Sequence, residues 1–427
     1  MSKSFTDPIL RHNITVNLID GAFFGFAVGF ASFVTIIPLF VSTMTNSAIL
    51  IGLIPAIHSV GWQLPQLFTA RKISGLTRLK PMVLWMTIQE RVPFLGLALV
   101  AWFSPQLSSK FVLFLTFLLL IWQGLGAGMA ANPWQNLVAK IIPPHIRGTF
   151  LGGQSASANL LASLSAIIAG IILEKLAHPF DYVTCFLLAS FAMGISWLFI
   201  AQTREEAKPL TRIIESRSNF WFDIRRILES QPEFRGFLLI RSLLAFASLA
   251  FAFYTVYAVR THHLSEAAIG VMTAVLMGTQ IAANPTMGWL GDRFGHRTVM
   301  EGGVLACIIS SFIAWWAPHP GWFYLVFILT GIGNVAVWTT GLAMSLEFGS
   351  EDERPAYIGL ANTLVAPSTI LAPLLGGWIA DLAGYPSTFA FSILCGIVTL
   401  VLLFWMRRAK RMQELHPSES NLPISSP

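Results

Sequence analysis

The chain has 427 residues, of which 55% are hydrophobic and 11% charged, with 33 Phe, 14 Trp and a mean hydropathy of +0.66. A water-soluble domain carries about 25% charged residues, so a soluble enzyme is excluded, as are disordered, collagen-like and coiled-coil chains. The formal charge of +6 is not a nucleic-acid footprint, because the basic residues lie between apolar runs and not on one face interleaved with aromatics.

A hydrocarbon core of about 30 Å needs roughly 20 apolar residues per spanning helix. That window predicts an all-α integral membrane protein with twelve transmembrane spans, in chain order 13–41, 49–68, 82–103, 110–131, 149–173, 182–202, 237–258, 267–289, 298–316, 321–345, 356–380 and 386–406. The first run is too long for a cleaved signal core and is expected to stay in the mature protein. Cys185, Cys307 and Cys395 sit far apart inside apolar runs, which fits small buried residues better than a disulfide framework or a metal site.

Lys and Arg are retained in the cytoplasm, so their distribution orients the spans. With both termini cytoplasmic, 22 of the 27 fall on the cytoplasmic side, three (Lys110, Lys175, Arg260) on the other, and Arg91 and Arg241 lie within spans. The one long connection, 203–235, carries seven basic and six acidic residues and divides the spans six plus six. The expected organisation is an N-terminal bundle (1–203), a cytoplasmic linker (204–235), a C-terminal bundle (236–411) and a cytoplasmic tail (412–427). Phe220, Trp221, Ile224, Ile227 and Leu228 recur at helical spacing in the linker, as in an interfacial helix or one packed on the bundles.

The two halves repeat. At an offset of 207, Gly124 and Gly126 meet Gly331 and Gly333, Arg147 meets Arg354, Gly152 meets Gly359 and Pro179 meets Pro386, without a gap. Span 2 meets span 8 at offset 218, and in span 1 the stretch Leu18–Gly21 meets Leu239–Ser242 at offset 221, which puts Asp20 opposite Arg241. Pseudo-symmetric halves of this kind mark secondary transporters.

Between spans 8 and 9 the chain reads GWLGDRFGHR, residues 288–297, and this resembles the loop signature of the major facilitator superfamily at Gly288, Leu290, Asp292, Arg293, Gly295 and Arg297. The resemblance, with the six-plus-six layout, implies two pseudo-symmetric six-helix bundles around a central cavity lined by spans 1, 4, 7 and 10. It also implies a cytoplasmic latch. Gly295 would make the turn, Gly288 would let helices approach, and Asp292 would face the positive N-terminal end of span 5 near Arg147, with Arg293 or Arg297 pairing with Glu347. The matching loop of the first half, TARKISGLTRLK, has no acid, and Lys140 stands where the repeat places Glu347, so closure is expected to rest on the second half. A span 5 signature of proton antiporters, GPxxGG, is absent from SAIIAG (165–170) but echoed in span 11 as APLLGG (372–377), which weakens the antiport reading.

A charge at mid-bilayer costs about 2.5–3.5 kcal/mol on insertion scales and so calls for a partner or a wet cavity. Asp20 and Arg241 are expected either to pair across the pseudo-twofold in one state or to snorkel separately. Glu90 and Arg91 lie some nine residues into span 3 and, being adjacent, point about 100° apart, so each is expected to look elsewhere. His58 and Gln123 reach the same depth, and the four form either a proton-carrying cluster or a structural polar knot. Glu301 is expected to serve the 293–297 loop. Gln154, Asn159, Gln280, Asn284, Asn334, Trp338 and Asn362 are candidate solute contacts or packing bonds, with Gln123, Asn334 and Trp338 foremost because the resemblance puts spans 4 and 10 on the cavity.

These features favour a secondary transporter of a small solute, with proton coupling and a slight lean to export, in a plasma membrane. Each half supplies the other's missing wall, so a monomer suffices, and no nucleic acid, cofactor, metal or catalytic residue is expected. No GxxxxGK[ST] loop supports direct ATP use. The alternatives are a membrane-embedded enzyme, for which the nine scattered His offer no cluster, and a non-transporting receptor or lipid scramblase on the same fold.

Overall fold

A computed structural model describes residues 7–45, 47–74, 76–207, 225–229, 231–262, 266–350 and 353–415. The first six spans comprise α1 (Pro8–Phe30) with α2 (Ile36–Ser42), α3 (Ala48–Gln63) with α4 (Gln66–Ser74), α5 (Lys80–Phe103), α6 (Ser109–Ile141), α7 (Arg147–Lys175) and α8 (Phe180–Ile200). The second six comprise α9 (Pro232–Ala247) with α10 (Tyr254–His262), α11 (Glu266–Phe294), α12 (His296–Trp316), α13 (Trp322–Val335) with α14 (Gly341–Ser345), α15 (Arg354–Ala383) and α16 (Tyr385–Leu415). All twelve predicted spans are therefore helical, in two bundles of six. Among the described residues, ten helices are long and apolar enough on their own to cross a bilayer. The others are the broken pair α3–α4 and the 29-residue α11.

Three departures from the predicted spans matter for function. Span 4 was expected to end at 131, where Asn132, Gln135, Asn136 and Lys140 lower the hydropathy, yet α6 runs to Ile141. It continues because two of those amides find backbone partners: Asn136 donates to Asn132 O at 2.9 Å and Asn132 to Gln66 O at 2.8 Å. Spans 1 and 7 were expected to be continuous, and both are interrupted. After α1 the Ser32 hydroxyl accepts the N–H groups of Val34 and Thr35, and after α9 the chain tightens into a 3-10 turn at Leu249–Ala252. The interruptions fall at matching places in the repeat. Span 10 is also irregular, with a π-helical stretch at Ala336–Thr340, the kind of bulge that recurs at functional sites.

Packing bears out the repeat. A side chain on Gly124 would meet Gly61 and Ile57, and one on Gly331 would meet Thr279 and Leu276. A side chain on Gly126 would meet Gln89, and one on Gly333 would meet Cys307. Gly61 and Thr279 differ by 218 in number, as do Gln89 and Cys307, so matched glycines admit matched neighbours. The two halves meet where α7 packs on α11 and α4 on α15. Of the linker, residues 208–224 lie outside the described residues, including Phe220, Trp221 and Ile224. Residues 225–229 are helical, with Ile227 and Leu228 packed against the cluster around Phe234 and Phe237.

Candidate functional site: a charged cavity and the contacts between the two halves

At the end of the molecule that holds the 288–297 loop, the fold brings Asp292, at the foot of α11, onto the first turn of α7. Its Oδ1 accepts the Gly148 N–H at 2.8 Å and its Oδ2 the Thr149 N–H at 2.6 Å. These are two of the donors that a helix start leaves unpaired. Gly288 and Gly148 cross so closely that a Cβ on either would strike the other strand of contact, and Gly295 turns the chain at φ 89°. Burial alone would raise the Asp292 carboxyl, but the hydrogen bonds from His296 and from the Thr149 and Gly148 N–H groups outweigh it and hold the group below the usual carboxylate range.

The rest of the loop differs from expectation. His296 Nε2 lies 3.8 Å from a Glu347 carboxylate oxygen and 3.5 Å from Asp292 Oδ1. Arg293 is exposed and lies over the rings of Trp289 and Phe294, 5.4 Å from each centroid. Arg147 bonds back to the end of α6, donating to Ile142 O at 3.0 Å and to Ala139 O. Arg354 opens α15 at the matching place. Glu301 pairs with Arg407 of α16 at 3.3 Å instead of serving the loop.

The first-half loop, which contains no acid of its own, receives one from beyond α8. Glu205 accepts the N–H groups of Leu79 and Lys80 at 2.8 Å each, capping α5, and pairs with Lys140 at 2.7 Å. That contact stays within the N-terminal half. A second closure between halves is made of amides: Asn362 of α15 donates to Gln66 Oε1 at 2.6 Å, and Asn132 of α6 donates to Pro355 O at 3.0 Å.

Deeper in the first bundle lies a cavity of about 210 Å³, lined by Asp20 and Phe24 of α1, Glu90 and Arg91 of α5, Trp134 of α6 and Gln154 of α7, among others. Asp20 lies twelve residues and Glu90 ten residues into their helices, about 15–18 Å from the helix N-termini. Arg91 Nη2 meets Asp20 Oδ1 at 3.3 Å, and the Ser196 hydroxyl donates to that oxygen at 2.6 Å. The guanidinium also donates to Thr87 O at 3.3 Å and lies 5.7 Å from the Phe24 ring. Asp20 is 4% exposed, and Glu90 and Arg91 are each 8% exposed, so these charges are answered by one another and not by bulk water.

Two expectations fail here. Asp20 and Arg241 do not pair: Asp20 is held by Arg91, while Arg241 donates to Asn362 Oδ1 at 3.1 Å and Ala361 O at 3.3 Å in the other half. Adjacent Glu90 and Arg91 do interact, at 3.6 Å, because the long Arg side chain curls back over its own helix and overcomes the 100° between their Cα–Cβ directions. The four-residue cluster also divides. His58 Nδ1 bonds Gln123 Oε1 at 3.0 Å and stacks on Phe33 at 4.0 Å, apart from the Asp20, Glu90, Arg91 and Ser196 group.

A second cavity of about 260 Å³ is lined mainly by the other half, by Arg241, Asn334, Trp338 and Thr369 among others, and by Gln63 of α3. Trp62 of the first cavity and Trp338 of the second meet edge to face at 6.0 Å, so the two spaces adjoin. Of the other candidates, Gln154 donates to Asn17 O at 2.8 Å and Asn284 accepts from Thr339 at 2.5 Å, both as helix-to-helix bonds. Asn159 and Gln280 are half-buried, and their carbonyls accept local bonds from Ser163 and Asn284. Sequence reasoning missed Ser196, Gln66, Asn132, Glu205 and the Trp62/Trp338 pair. Only Glu205 carried a signal, being an acid in the linker beside a half that lacked one.

A sequence profile described as Major Facilitator Superfamily matches residues 237–426. Among curated proteins, Multidrug resistance protein 2 of Bacillus subtilis is 24% identical over 164 residues, 38% of this chain and 41% of that protein. The vesicular acetylcholine transporter of Drosophila melanogaster is 28% identical over 151 residues, 35% of this chain and 26% of that protein. The chain spans about 40% of the length of the first curated relatives it matches. Among solved structures, the human organic anion transporter MFSD10 superposes with a TM-score of 0.72 at 14% identity, over 93% of this chain and 100% of that one. The Escherichia coli fucose:proton symporter FucP superposes with a TM-score of 0.74 at 15% identity, over 92% and 98%. At such identities the likeness is one of fold.

Proposed function

We propose that this chain is a member of the major facilitator superfamily, as the profile match over residues 237–426 and the shared fold support, and that it is a secondary active transporter moving a small amphipathic solute by alternating access, driven by a proton. The observation that carries the reading is a charged cavity beside hydrogen bonds that join one half to the other. Asp292 on the α7 N-terminus and Asn362 on Gln66 are bonds that a rocking of one bundle against the other breaks together. Glu90 is the proton site of this reading. Asp20 is engaged by Arg91 and Ser196, whereas Glu90 meets Arg91 only at 3.6 Å and lines the cavity, so its charge is the less compensated of the two.

The curated relatives named for multidrug resistance, tetracycline resistance and acetylcholine transport support an organic solute and a lean to export. The Lys and Arg asymmetry supports a plasma-membrane orientation with both termini cytoplasmic. The test is flux in proteoliposomes holding a trapped pH dye. Solutes that exchange in counterflow should also move protons in the wild type. Glu90→Gln should keep counterflow and lose the pH signal. A Glu90→Gln protein that still couples solute to protons refutes the assignment.

A further inference from the structure

The six C-terminal spans, with their sequence-predicted bounds, contain two residues among Asp, Glu, Lys and Arg: Arg241 and Glu301. Glu301 is taken by Arg407 near the cytoplasmic surface. Arg241 has five N–H donors, and its described bonds go to two neutral oxygens, Asn362 Oδ1 and Ala361 O, with the Phe237 ring 5.8 Å away. The repeat explains the lack of an acid. Asp20, equivalent to Arg241 at offset 221, is held by Arg91 and Ser196, and carrying the offsets of those helices (218 and 207) across puts Ile309 and Leu403 at their places. The polar answer that one half gives its α1 charge is replaced by hydrocarbon in the other. A cation so placed is costly unless an opposite charge arrives.

Arg241 lines the 260 Å³ cavity together with Ser248, Asn334 and Thr369 as neutral polar groups and Phe251 and Trp338 as apolar walls. We propose that this cavity binds the carboxylate end of an amphipathic organic solute, with Arg241 as the salt-bridge partner and Phe251 and Trp338 against the apolar body. A single planar guanidinium matches a monoanionic carboxylate, whereas a dianionic phosphate would leave net charge in a cavity that offers one cation. The inference deepens the transport reading and rests on it, because it names the charge of the solute that the two halves enclose. It also ties the solute to the gate. The Asn362 amide that accepts from Arg241 is the one that donates to Gln66 across the halves, so a carboxylate that draws the guanidinium away changes the bonding of a gate contact.

The experiment measures binding, not flux. Thermal unfolding of the full-length protein in detergent is followed with three isosteric probes, 2-naphthoate, 2-naphthamide and 2-naphthylmethylamine, for wild type, Arg241→Gln and Arg241→Lys. The expected result is a wild-type shift largest for naphthoate, an apparent affinity for it reduced about tenfold or more in Arg241→Gln, and partial retention in Arg241→Lys. Equal shifts from all three probes, a larger shift from the amine, no naphthoate shift at millimolar concentration, or an unchanged naphthoate affinity in Arg241→Gln overturns the proposal. If neither variant folds, the wild-type ranking of the probes decides by itself. Naphthoate binding without proton-linked flux would refute the transport reading and leave the anion site standing.

Discussion

Replacing Asp292 by Asn removes one charge and one of two acceptors from the start of α7 while keeping nearly the same shape. The carboxylate accepts from Gly148 at 2.8 Å and Thr149 at 2.6 Å, and its side chain is 6% exposed, so water does not take over the lost bond. A charge-assisted hydrogen bond contributes about 1.5–3 kcal/mol and the charge against the helix end about 0.3–1 kcal/mol. Asp292→Asn therefore weakens cytoplasmic closure by about 2–4 kcal/mol. At 1.36 kcal/mol per factor of ten, that is roughly a 30- to 1000-fold shift toward cytoplasm-open. Spin labels at Arg78→Cys in one half and Thr298→Cys in the other, with the three native cysteines replaced by Ser, read this by double electron-electron resonance. The single short distance of the parent should gain a longer population in the variant, with insertion and expression unchanged. An unaltered distance distribution together with unaltered transport would refute the latch. The pH dependence has a definite sign. A carboxyl held below its ordinary range stabilises the closed state above its open-state value and loses that contribution only as pH falls through the depressed one. Hence the short distance should persist from pH 8 to pH 5, and a gate that opens in that window would contradict the assignment.

Two further substitutions test the interior. Arg91→Ala leaves Asp20 buried without its cation and should cost about 3–5 kcal/mol, seen as a large fall in melting temperature in detergent, whereas the double exchange Asp20→Asn with Arg91→Gln should recover most of it; equal losses in both would mean the pair is not the source of the cost. Glu205→Gln keeps one oxygen for the Leu79 and Lys80 N–H groups but loses the Lys140 ion pair, and should cost about 1.5–3 kcal/mol, with faster hydrogen exchange at those two amides as the local readout. Unchanged exchange there would show that α5 needs no such cap.

Much of the fold was legible because the bilayer imposes one-dimensional rules. The twelve apolar windows and the offset glycines each report on a single helix, and they matched the helices and neighbours found. The contact of Asp292 with the start of α7 was legible for the same reason: Gly288, Asp292 and Gly295 lie in one short segment, and the repeat supplied the helix that Asp292 meets. The polar interior was not. Depth along a helix can be counted, but azimuth cannot be read where apolar residues surround every face. So His58, Glu90, Arg91 and Gln123, counted to a common depth along their helices, turned out to face two different places. Ser196 gave no signal in an apolar run until Asp20 and Arg91 were seen against it.

By itself the sequence determined that this protein lives in lipid, that it has twelve apolar helical spans, that it is built of two related halves, and which segment of the chain joins them. These follow from hydropathy, charge and periodicity, which act residue by residue along the chain. Only the tertiary structure decided which charges meet. Arg91 and not Arg241 answers Asp20, Glu205 serves a loop 125 residues before it, and Arg241 faces a cavity without an acid. Partner choice depends on the rotation of each helix about its axis and on side-chain reach across gaps of a few ångströms, and those are set by the packing of all twelve helices together.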